Sequence, residues 1–373
     1  MINQLENLRC PKTKQPLRLL DRNDAENIFG SKLVPLRIML PSPDQVTVPH
    51  PIGVTQTVLV REDNGCAYPV IDNIGILLIP EMLGSIECQF ELDLGETIYA
   101  EAYAEMDGYN KIATLESKEI EKSESYKTIE PILNQISEKA PSFPSPLETW
   151  IDAIYDCGAQ LDAYSHIAPL QGKRILQIGG KGTHAIKFLL AGATEAWLLS
   201  PMIGELKCCQ ELGKIAKVNN NLHCVSGISE ELPFEDEYFD AIYAGGCVHH
   251  METPLAIPEI CRVLRTGGKF SAVDPWLTPV YTIGKKLFGQ REPAHCHPLT
   301  NERIQPFHKY FNEFIKIHHG AFLRYPLLLL NKLGFTISIT TSMNLSRIDN
   351  WFSVIIPGFR NHMGGSVSLL CRK

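Results

Sequence analysis

The sequence lacks three features that would place it in a special class of protein. No apolar run, including the one around 327–330, approaches the roughly 20 residues of a membrane-spanning helix. No cluster of lysine and arginine marks a surface for nucleic acid or an anionic membrane, and the formal net charge is −7. No signal peptide is expected, because Asn3, Gln4 and Glu6 interrupt the place of its apolar core. We therefore expect neither nucleic acid nor membrane as a partner.

The cysteines do not form the framework of a secreted protein. There are eleven, an odd number, and their spacing follows no disulfide scaffold. Thiols without such a framework are typical of a reducing compartment, where buried cysteines pack as small apolar side chains. We expect a cytoplasmic protein with free thiols.

Composition changes twice along the chain. Residues 1–90 contain short β-like runs bounded by turn formers, and Glu, Lys and Ser dominate 117–127. A proline-rich breaker follows at 141–146. We predict a small β-rich domain over 1–90, a helical connector over 91–170 and a third domain over 171–373.

The third domain alternates short apolar runs with helical segments. This pattern is typical of a parallel sheet that is covered by helices, so we predict an α/β fold. The seven predicted strands are 174–178, 196–199, 222–225, 239–244, 269–273, 335–341 and 366–371.

A glycine-rich turn follows the first of these strands. Gly179, Gly180 and Gly182 stand between the strand and the next helix. Glycines at this point let backbone amides at a helix N-terminus approach a cofactor without a Cβ atom in the way. Alone the signal is weak, because glycine clusters often only make turns.

Further motifs follow the glycine turn in a recognisable order. They are Leu-Pro-Phe at 232–234, Phe-Asp at 239–240, His-His at 249–250 and Arg-Val-Leu-Arg-Thr-Gly-Gly at 262–268. Their order and spacing resemble the small-molecule branch of the class I S-adenosylmethionine (SAM) methyltransferases, which includes ubiquinone and sterol methyltransferases. The resemblance covers about 171–275 and implies a Rossmann-like, seven-stranded sheet with an antiparallel last strand. It also implies SAM as the cofactor.

The cofactor site carried over from this resemblance departs from the family's pattern. We assign to the cofactor Gln177, Gly179, Gly180, Gly182, Leu198, Ser200, Ile228, Ser229 and Gly245. The family usually has acids at the positions of Gln177, Leu198 and Ile228, and the middle glycine of its turn is Lys181 here. Loss of one charge-assisted hydrogen bond costs about 1.5–3 kcal/mol. Four residues nearby in sequence could replace these acids: Glu195, Ser200, Ser229 and Glu230.

Three residues are predicted to be catalytic. His249 and His250 follow the fourth strand and Asp274 follows the fifth, at the carboxyl ends where open α/β sheets bind ligands. A histidine whose pKa lies near neutrality suits the removal of a proton from a methyl acceptor. A packing role for His250 and a capping role for Asp274 are equally open.

The segment 277–332 is longer than a crossover to the next strand requires. In the resembling enzymes, insertions here form a cap over the substrate. The segment 277–332 contains His295, Cys296 and His297. Neighbouring side chains of an extended segment point to opposite sides, so only the two histidines could share one metal ion. We predict a structural or substrate-contacting role for this triplet, with a metal ion as the alternative, and we assign no metal ligand. The arginines of the segment, Arg291, Arg303 and Arg324, could meet an anionic substrate or be solvated.

The N-terminal region has a resemblance of its own. Cys10-Pro11 opens it and 65–75, with Cys66, closes it. This looks like the zinc-ribbon domain of the tRNA-methyltransferase activator family, although each knuckle keeps a single cysteine and Thr13 stands where a second is expected. Two thiolates do not make a closed zinc site, so we predict a metal-free structural or docking module, open to a protein partner or a second copy. An unrelated β-rich module is the alternative.

Three functions follow from these motifs. The first is a SAM-dependent methyltransferase that acts on a small molecule. The second keeps the fold with an altered cofactor pocket, as a SAM-independent enzyme or a non-catalytic binding partner. The third, an RNA methyltransferase, is the weakest, because residues 244–247 read Ala-Gly-Gly-Cys and not as an Asn-Pro-Pro-Tyr-type motif.

Overall fold

A mixed sheet of eleven strands runs through the described part of the chain. The fold is that of a computed structural model, which describes residues 4–29, 37–40, 50–54, 57–64, 67–77, 118, 150–279, 281–283, 297–320, 326–327, 329–330, 333–335, 337–356, 358 and 363–373. The prediction of an α/β fold is confirmed. No helix among these residues has both the length and the apolar character needed to cross a bilayer.

The strands and helices are numbered in chain order. The strands are β1 Leu17–Asp21, β2 Arg37–Leu40, β3 His50–Val54, β4 Thr57–Arg61, β5 Ala67–Ile71, β6 Ile74–Ile76, β7 Arg174–Ile178, β8 Glu195–Ser200, β9 Leu222–Ser226, β10 Phe239–Gly245, β11 Leu264–Pro275, β12 Glu313–His319 and β13 Ser366–Arg372. The helices are α1 Arg22–Phe29, α2 Cys157–Ile167, α3 Thr183–Leu190, α4 Ile203–Ile215, α5 Thr253–Val263, α6 Gln305–Tyr310 and α7 Ile339–Ile355. Short 3-10 turns cover Gln4–Asn7, Ser229–Glu231 and Val248–His250.

Seven strands form the α/β part of the sheet, in the order β9-β8-β7-β10-β11-β13-β12. Neighbours from β9 to β11 run parallel, and β13 runs antiparallel to both β11 and β12. The carboxyl ends of the parallel strands therefore meet at one edge of the sheet, where their loops can build a site.

The N-terminal strands continue this sheet. β1, β4, β5 and β6 pair antiparallel with one another, and β6 then pairs parallel with β9, with Gly75 opposite Val225. The Leu77 amide donates to the Ser226 carbonyl at 2.8 Å. The sheet that we predicted with seven strands is thus part of an eleven-stranded one, and its β9 edge is covered.

The predicted strand 335–341 is wrong. Helix α7 begins at Ile339, and Ser338 caps it by accepting a hydrogen bond from the Thr341 amide at 3.1 Å. An N-cap serine outweighs the β propensity of a short Ile-Thr run. The sixth strand of the α/β part is β12, which lies inside the segment 277–332 that we predicted as a cap.

Apolar side chains cover both faces of the sheet. On one face α2, α3 and α4 pack with buried residues such as Ala163, Ile186 and Leu206. On the other, α5, α6 and the N-terminal segment contribute residues such as Ile257 and Leu8. Each fully buried Leu or Ile contributes about 1.5–3 kcal/mol. Two buried faces give the loops at the sheet edge a rigid base.

Candidate functional site

The glycine turn after β7 has the backbone form that only glycine adopts easily. Gly179, Gly180 and Gly182 have φ of +74°, +76° and +79°. The Gly179 amide donates to the Leu199 carbonyl at 2.8 Å, which joins the turn to the end of β8. Helix α3 begins directly after the turn, at Thr183. The turn therefore presents the N-terminus of α3 at the sheet edge.

The space beside each glycine separates packing from ligand access. A Cβ at Gly182 would lie 2.7 Å from the Cys209 Cβ, and one at Gly179 would lie 3.0 Å from the Cys247 Cβ. At Gly180 the nearest atom within 4 Å is the Gln177 Nε2, at 3.5 Å. Gly179 and Gly182 are thus required by the protein's own packing, whereas Gly180 leaves room for another molecule.

Gln177 braces this turn from below. Its Nε2 donates to the Gly179 carbonyl and its Oε1 accepts from the Ala185 amide, both at 2.7 Å. The side chain is buried. A carboxylate could accept but could not donate, so an amide fits this position and the family's usual acid would not.

Leu198 and Ile228 offer no hydrogen bond where the family has acids. Both side chains are buried, and the Leu198 Cδ2 lies 3.3 Å from the position of a Cβ on Gly182. Leu198 therefore belongs to the packing beneath the glycine turn.

An acid that the sequence analysis missed, Glu205, lies beside the carboxyl end of β8. The Ser200 Oγ donates to the Glu205 Oε2 at 2.7 Å, and Glu205 lies in the first turn of α4. An acid in a first helical turn is favoured by the helix dipole, and this is the signal that could have found it. Glu195, one of the expected substitutes, lies at the opposite end of β8 and accepts from the Tyr238 hydroxyl at 2.7 Å.

The expected substitutes after β9 bond to one another. The Ser229 Oγ donates to the Glu230 Oε2 at 3.0 Å, and the Glu230 Oε1 accepts from the Glu252 amide at 2.8 Å. Glu230 thus ties the turn after β9 to the start of α5.

His249 and Asp274 form a buried pair at the ends of β10 and β11. The His249 Nδ1 lies 2.8 Å from the Asp274 Oδ1, which also accepts from the His249 amide at 3.0 Å. A carboxylate only accepts, so Nδ1 carries the proton and the Nε2 lone pair points away from Asp274. The Asp274 Oδ2 has no hydrogen-bond partner among the described residues. The His250 ring lies against that of His249, with centroids 3.8 Å apart.

The loop after β10 joins this pair to the glycine turn. The Cys247 thiol donates to the Ile178 carbonyl at 3.1 Å, and the Gly246 amide donates to the Val273 carbonyl at 2.7 Å. A Cβ on Gly245 would lie 2.9 Å from the Tyr243 hydroxyl. The structure thus brings together the predicted glycines of the turn and two of the residues predicted to be catalytic, His249 and Asp274.

Residues 176–272, which include the glycine turn and His249, match a family model described as a methyltransferase domain. This stretch is similar to methyltransferase domains, and we call it the methyltransferase domain. The match begins in β7, so the resemblance of the N-terminal region to a zinc ribbon stays a prediction.

Three curated relatives are similar to parts of this chain. A tRNA U34 carboxymethyltransferase of Syntrophotalea carbinolica is 34% identical over 109 residues, 28% of this chain and 32% of the relative. A probable phthiotriol/phenolphthiotriol dimycocerosates methyltransferase 2 of Mycobacterium ulcerans is 34% identical over 112 residues, 29% of this chain and 41% of the relative. A ubiquinone/menaquinone biosynthesis C-methyltransferase of Vibrio vulnificus is 26% identical over 154 residues, which are 39% of this chain and 58% of the relative. The chain spans less than two thirds of each.

Arg303 holds the histidine loop of the methyltransferase domain in place. Its Nη1 donates to the His249 carbonyl at 3.0 Å and its Nη2 to the Met251 carbonyl at 2.7 Å. It also bonds the His297 carbonyl. We predicted an anion-binding or solvated side chain here, but the guanidinium is used on backbone carbonyls.

Other predictions for the segment 277–332 fall outside the described residues. These are the roles of Arg291, His295, Cys296 and Arg324. Within the part of the chain that the structure describes, no three His, Cys, Asp or Glu side chains lie close enough together to hold a metal ion.

Buried polar groups support α3 of the methyltransferase domain. The Lys187 Nζ lies 2.7 Å from the Asp152 Oδ2, and Lys187 is fully buried. Burial raises the pKa of Asp152, but Lys187 outweighs this and, with His184, lowers it to about 2. Burial, together with Lys187, lowers the pKa of His184 to about 4, and its Nδ1 hydrogen-bonds the Tyr164 hydroxyl. His184 is therefore neutral at pH 7.

The N-terminal segment packs against the methyltransferase domain. The Lys14 Nζ lies 2.7 Å from the Glu259 Oε2 of α5, and the Arg9 amide donates to the Pro233 carbonyl at 2.9 Å. The buried Cys10 thiol lies 3.2 Å from the Tyr68 hydroxyl, while Cys66 is outside the described residues. This segment braces the Leu-Pro-Phe loop.

Proposed function

We propose that this chain is an enzyme that transfers a methyl group from SAM to a small-molecule acceptor. The observation that carries the proposal is the methyltransferase match over the same residues that form the glycine turn and the histidine loop. These two features lie at one sheet edge, joined by the contact of Cys247 with the end of β7.

The residues at this edge fit part of SAM. Backbone amides at Gly180 and the start of α3 would approach the methionine end, because Gly180 leaves open space. Glu205, with Ser200, would accept hydrogen bonds from the ribose hydroxyls, and Ser229 lies in the turn after β9, where the family contacts adenine. Gln177 would act on the cofactor indirectly, by holding the backbone of the glycine turn, and Gly245 would present its own backbone. Leu198 and Ile228 would contribute apolar contacts alone.

His249 would remove a proton from the acceptor. SAM, when bound, supplies an electrophilic methyl group on a sulfonium. His249 keeps its proton on Nδ1, where Asp274 accepts it, so Nε2 is the atom that takes the acceptor's proton. The carboxylate of Asp274 then stabilises the charged imidazolium. The contact of His250 with the His249 ring supports a positioning role for His250.

A small molecule is the acceptor class that the charge of the chain supports. The net charge is −7, and tRNA binding would require a basic surface. Two relatives are named for dimycocerosates and for ubiquinone or menaquinone, and one is named for tRNA U34. The reducing cytoplasm remains the compartment that the free thiols favour.

The N-terminal strands are proposed as a metal-free structural module. The Cys10 thiol is buried beside Tyr68, and Lys14 and Arg9 contact the methyltransferase domain directly. A protein partner or a second copy at this module stays a prediction from the sequence.

A second candidate function is a methyltransferase fold that does not use SAM. The burial of Leu198 and Ile228, where acids would hold the cofactor, favours it. Calorimetric titration of the full chain with SAM and with S-adenosylhomocysteine separates the two. We expect saturable binding of both in the micromolar range. Absence of heat at high micromolar ligand would leave the second function as the better account.

A matched pair of glycine variants locates the binding site. Gly180 and Gly267 have φ of +76° and +75°, and a Cβ on Gly267 meets no atom within 4 Å. Alanine at either position brings similar backbone strain, about 1–2 kcal/mol. We expect Gly180→Ala to weaken SAM binding about tenfold or more, through a methyl group in the cofactor's approach, while Gly267→Ala leaves affinity unchanged. Equal affinities in both variants would place the cofactor elsewhere.

A further inference from the structure

Two ring side chains, at the start of α3 and near the end of β10, keep polar atoms without a partner. His184 is the second residue of α3, directly after the glycine turn, and Tyr243 lies two residues before the end of β10. Their ring centroids are 4.7 Å apart. Neither the His184 Nε2 nor the Tyr243 hydroxyl forms a hydrogen bond with any described residue. Polar atoms in such places are normally bonded, so two neighbouring exceptions indicate a ligand site.

Both unpartnered atoms can be reached from outside the protein. His184 is partly exposed. Tyr243 is 2% exposed, and its hydroxyl is not one of the fully enclosed polar atoms that lack a partner, so the exposed part includes the hydroxyl. A Cβ on Gly245, the last residue of β10, would lie 2.9 Å from this hydroxyl. The hydroxyl therefore lies at the carboxyl edge of the sheet.

The two rings border a crevice between β7 and β10. β7 leads into α3 on one face of the sheet, whereas β10 leads toward α5 on the other face. Neighbouring parallel strands whose connections leave on opposite faces form a crevice at their carboxyl ends, the usual ligand position in open α/β sheets. Tyr243 of β10 is opposite Gln177 of β7 across this crevice.

A chain of hydrogen bonds fixes the position of the proton on His184. The Gln160 Oε1 accepts from the backbone amides of residues 152 and 153, each at 2.9 Å. Its Nε2 is therefore the atom that faces the Tyr164 hydroxyl, to which it donates at 3.3 Å. The Tyr164 oxygen accepts this bond and donates its own hydrogen to the His184 Nδ1. The proton of the neutral imidazole is then on Nε2, the unpartnered atom.

Both unpartnered atoms are donors at pH 7. Burial, together with Lys187, lowers the pKa of His184 to about 4, so the ring is neutral and its Nε2 donates. Burial and the nearby Asp152 carboxylate raise the pKa of Tyr243 well above its usual range, so the hydroxyl stays protonated. Two neutral donors at the positive end of the α3 dipole suit an anionic oxygen.

The acids near Tyr243 narrow the choice of anion. Besides burial, the carboxylates of Asp152 and Asp274 help to raise the pKa of Tyr243, and the same field opposes a simple anion. A zwitterion is tolerated better, because its ammonium group offsets its carboxylate. The amino-acid end of SAM is such a zwitterion, with both groups on one carbon.

We propose that His184 and Tyr243 bind the carboxylate at the amino-acid end of SAM, with the Nε2 and the hydroxyl as its two donors. This assignment rests on the proposed function, in which the methionine end otherwise meets only backbone amides. Neither residue belongs to a motif in the sequence, so only the packing of α3 against β10 reveals the pair.

Removal of a single oxygen atom tests this assignment. Tyr243→Phe deletes the hydroxyl and keeps the ring, which contacts Tyr164, His184 and Phe188. The full chain is titrated calorimetrically with SAM and with decarboxylated SAM, which lacks only the carboxylate. We expect Tyr243→Phe to weaken SAM about tenfold, the size of one hydrogen bond to a charged group. The affinity for decarboxylated SAM should stay within about twofold.

Two other tyrosines are matched controls. Tyr310→Phe removes a hydroxyl from α6, on the opposite face of the sheet, and should change neither affinity. Tyr164→Phe removes a hydroxyl that is bonded within the protein, so it should lower the midpoint of urea unfolding. Tyr243→Phe should leave this midpoint unchanged, because its hydroxyl bonds no described residue.

The ring of His184 gives a second readout, which a purely structural role would not move. ¹⁵N NMR at pH 7 should show its proton on Nε2. The shift of this proton should move downfield when SAM saturates the chain, and it should move much less with decarboxylated SAM.

Different failures have different consequences. A proton on the His184 Nδ1 would overturn the proposal, because the Nε2 would then have nothing to donate. Equal weakening of SAM and decarboxylated SAM in Tyr243→Phe, or no weakening of either, would also overturn it. These results leave the proposed function intact, since the wild-type chain still binds SAM. Absence of SAM binding by the wild-type chain would instead remove the proposed function and this assignment together.

Discussion

The glycine turn and the His249–Asp274 pair lie at one sheet edge but use their polar groups in opposite ways. At the turn, both polar atoms of Gln177 bond the protein's own backbone. At the end of β11, Asp274 bonds His249 through one oxygen, and the other has no partner among the described residues. The polar atoms of Gln177 are thus fully used within the glycine turn, whereas one Asp274 oxygen can still accept a hydrogen bond.

This difference indicates that the glycine turn has a structural and binding role and that the His249–Asp274 pair takes part in the reaction. Leu198 and Ile228 are buried and apolar, so the polar groups that we propose for the cofactor include backbone amides, Glu205 with Ser200, and Ser229. Substitutions around the turn should therefore act on stability and on ligand affinity. Substitutions at the pair should act on the reaction rate. The three predictions that follow test this separation.

The largest effect is expected for Asp274→Asn. An asparagine keeps an acceptor oxygen for the His249 amide and Nδ1, but it lacks the negative charge that stabilises the imidazolium formed when Nε2 takes the acceptor's proton. We expect methyl transfer to slow by about 10²–10⁴-fold, the usual contribution of a general base. Transfer of a labelled methyl group from SAM into a pool of cell metabolites measures the rate even while the acceptor is unidentified.

The same variant has two independent checks. The ¹⁵N NMR shifts of His249 should show a proton on Nδ1 in both the wild type and Asp274→Asn, so that a slower rate reflects the lost charge. The affinity for SAM should stay within about twofold, because Asp274 lies on β11, beyond the glycine turn on β7. A rate near that of the wild type would show that the pair is structural.

The second effect, about 3 kcal/mol, concerns stability against pH at the glycine-turn side. His184 has its pKa lowered to about 4, so the unfolded chain binds a proton near pH 6.5 and the folded chain does not. Stability from this group is complete above pH 6.5 and is lost as pH falls toward 4, a loss of about 3 kcal/mol. His184→Asn keeps an acceptor for the Tyr164 hydroxyl and does not titrate.

Urea unfolding at pH 7, 5 and 4 measures this effect. The wild type should lose about 3 kcal/mol more free energy of unfolding over this range than His184→Asn. Asp152, whose pKa is about 2, titrates mainly below this window, so it should contribute similarly to both proteins. Parallel pH curves for the two proteins would mean that the ring is solvated and titrates normally.

Local patterns predicted the α/β fold and the similarity of residues 176–272 to methyltransferase domains correctly. The glycine turn and the motifs at 232–234 and 262–268 can be recognised from the sequence because the residues of each motif are adjacent in the chain. The strand predicted at 335–341 failed because one serine cap at Ser338 decided the local structure. Strand β12 was missed because it lies within the segment 277–332, which we took for a cap.

Long-range partners escaped sequence analysis for a physical reason. Arg303 and the His249 carbonyl are 54 residues apart, and Lys187 and Asp152 are 35 apart. No period or spacing in the sequence encodes such pairs, since each contact is created by the packing of separate elements. The pairing of β6 with β9, which extends the sheet, has the same origin.

The smallest effect, about 2 kcal/mol, is expected for Gln177→Glu, which restores the acid that the family usually has. A carboxylate could still accept from the Ala185 amide but would face the Gly179 carbonyl without a proton to donate. We expect the free energy of unfolding at pH 7 to fall by about 2 kcal/mol, as for a buried acceptor left without its donor. Protonation of the new carboxyl should recover much of this loss near pH 4. Tighter SAM binding with unchanged stability would instead mean that the side chain at position 177 faces the cofactor, and that its two hydrogen bonds to the glycine turn do not stabilise the fold.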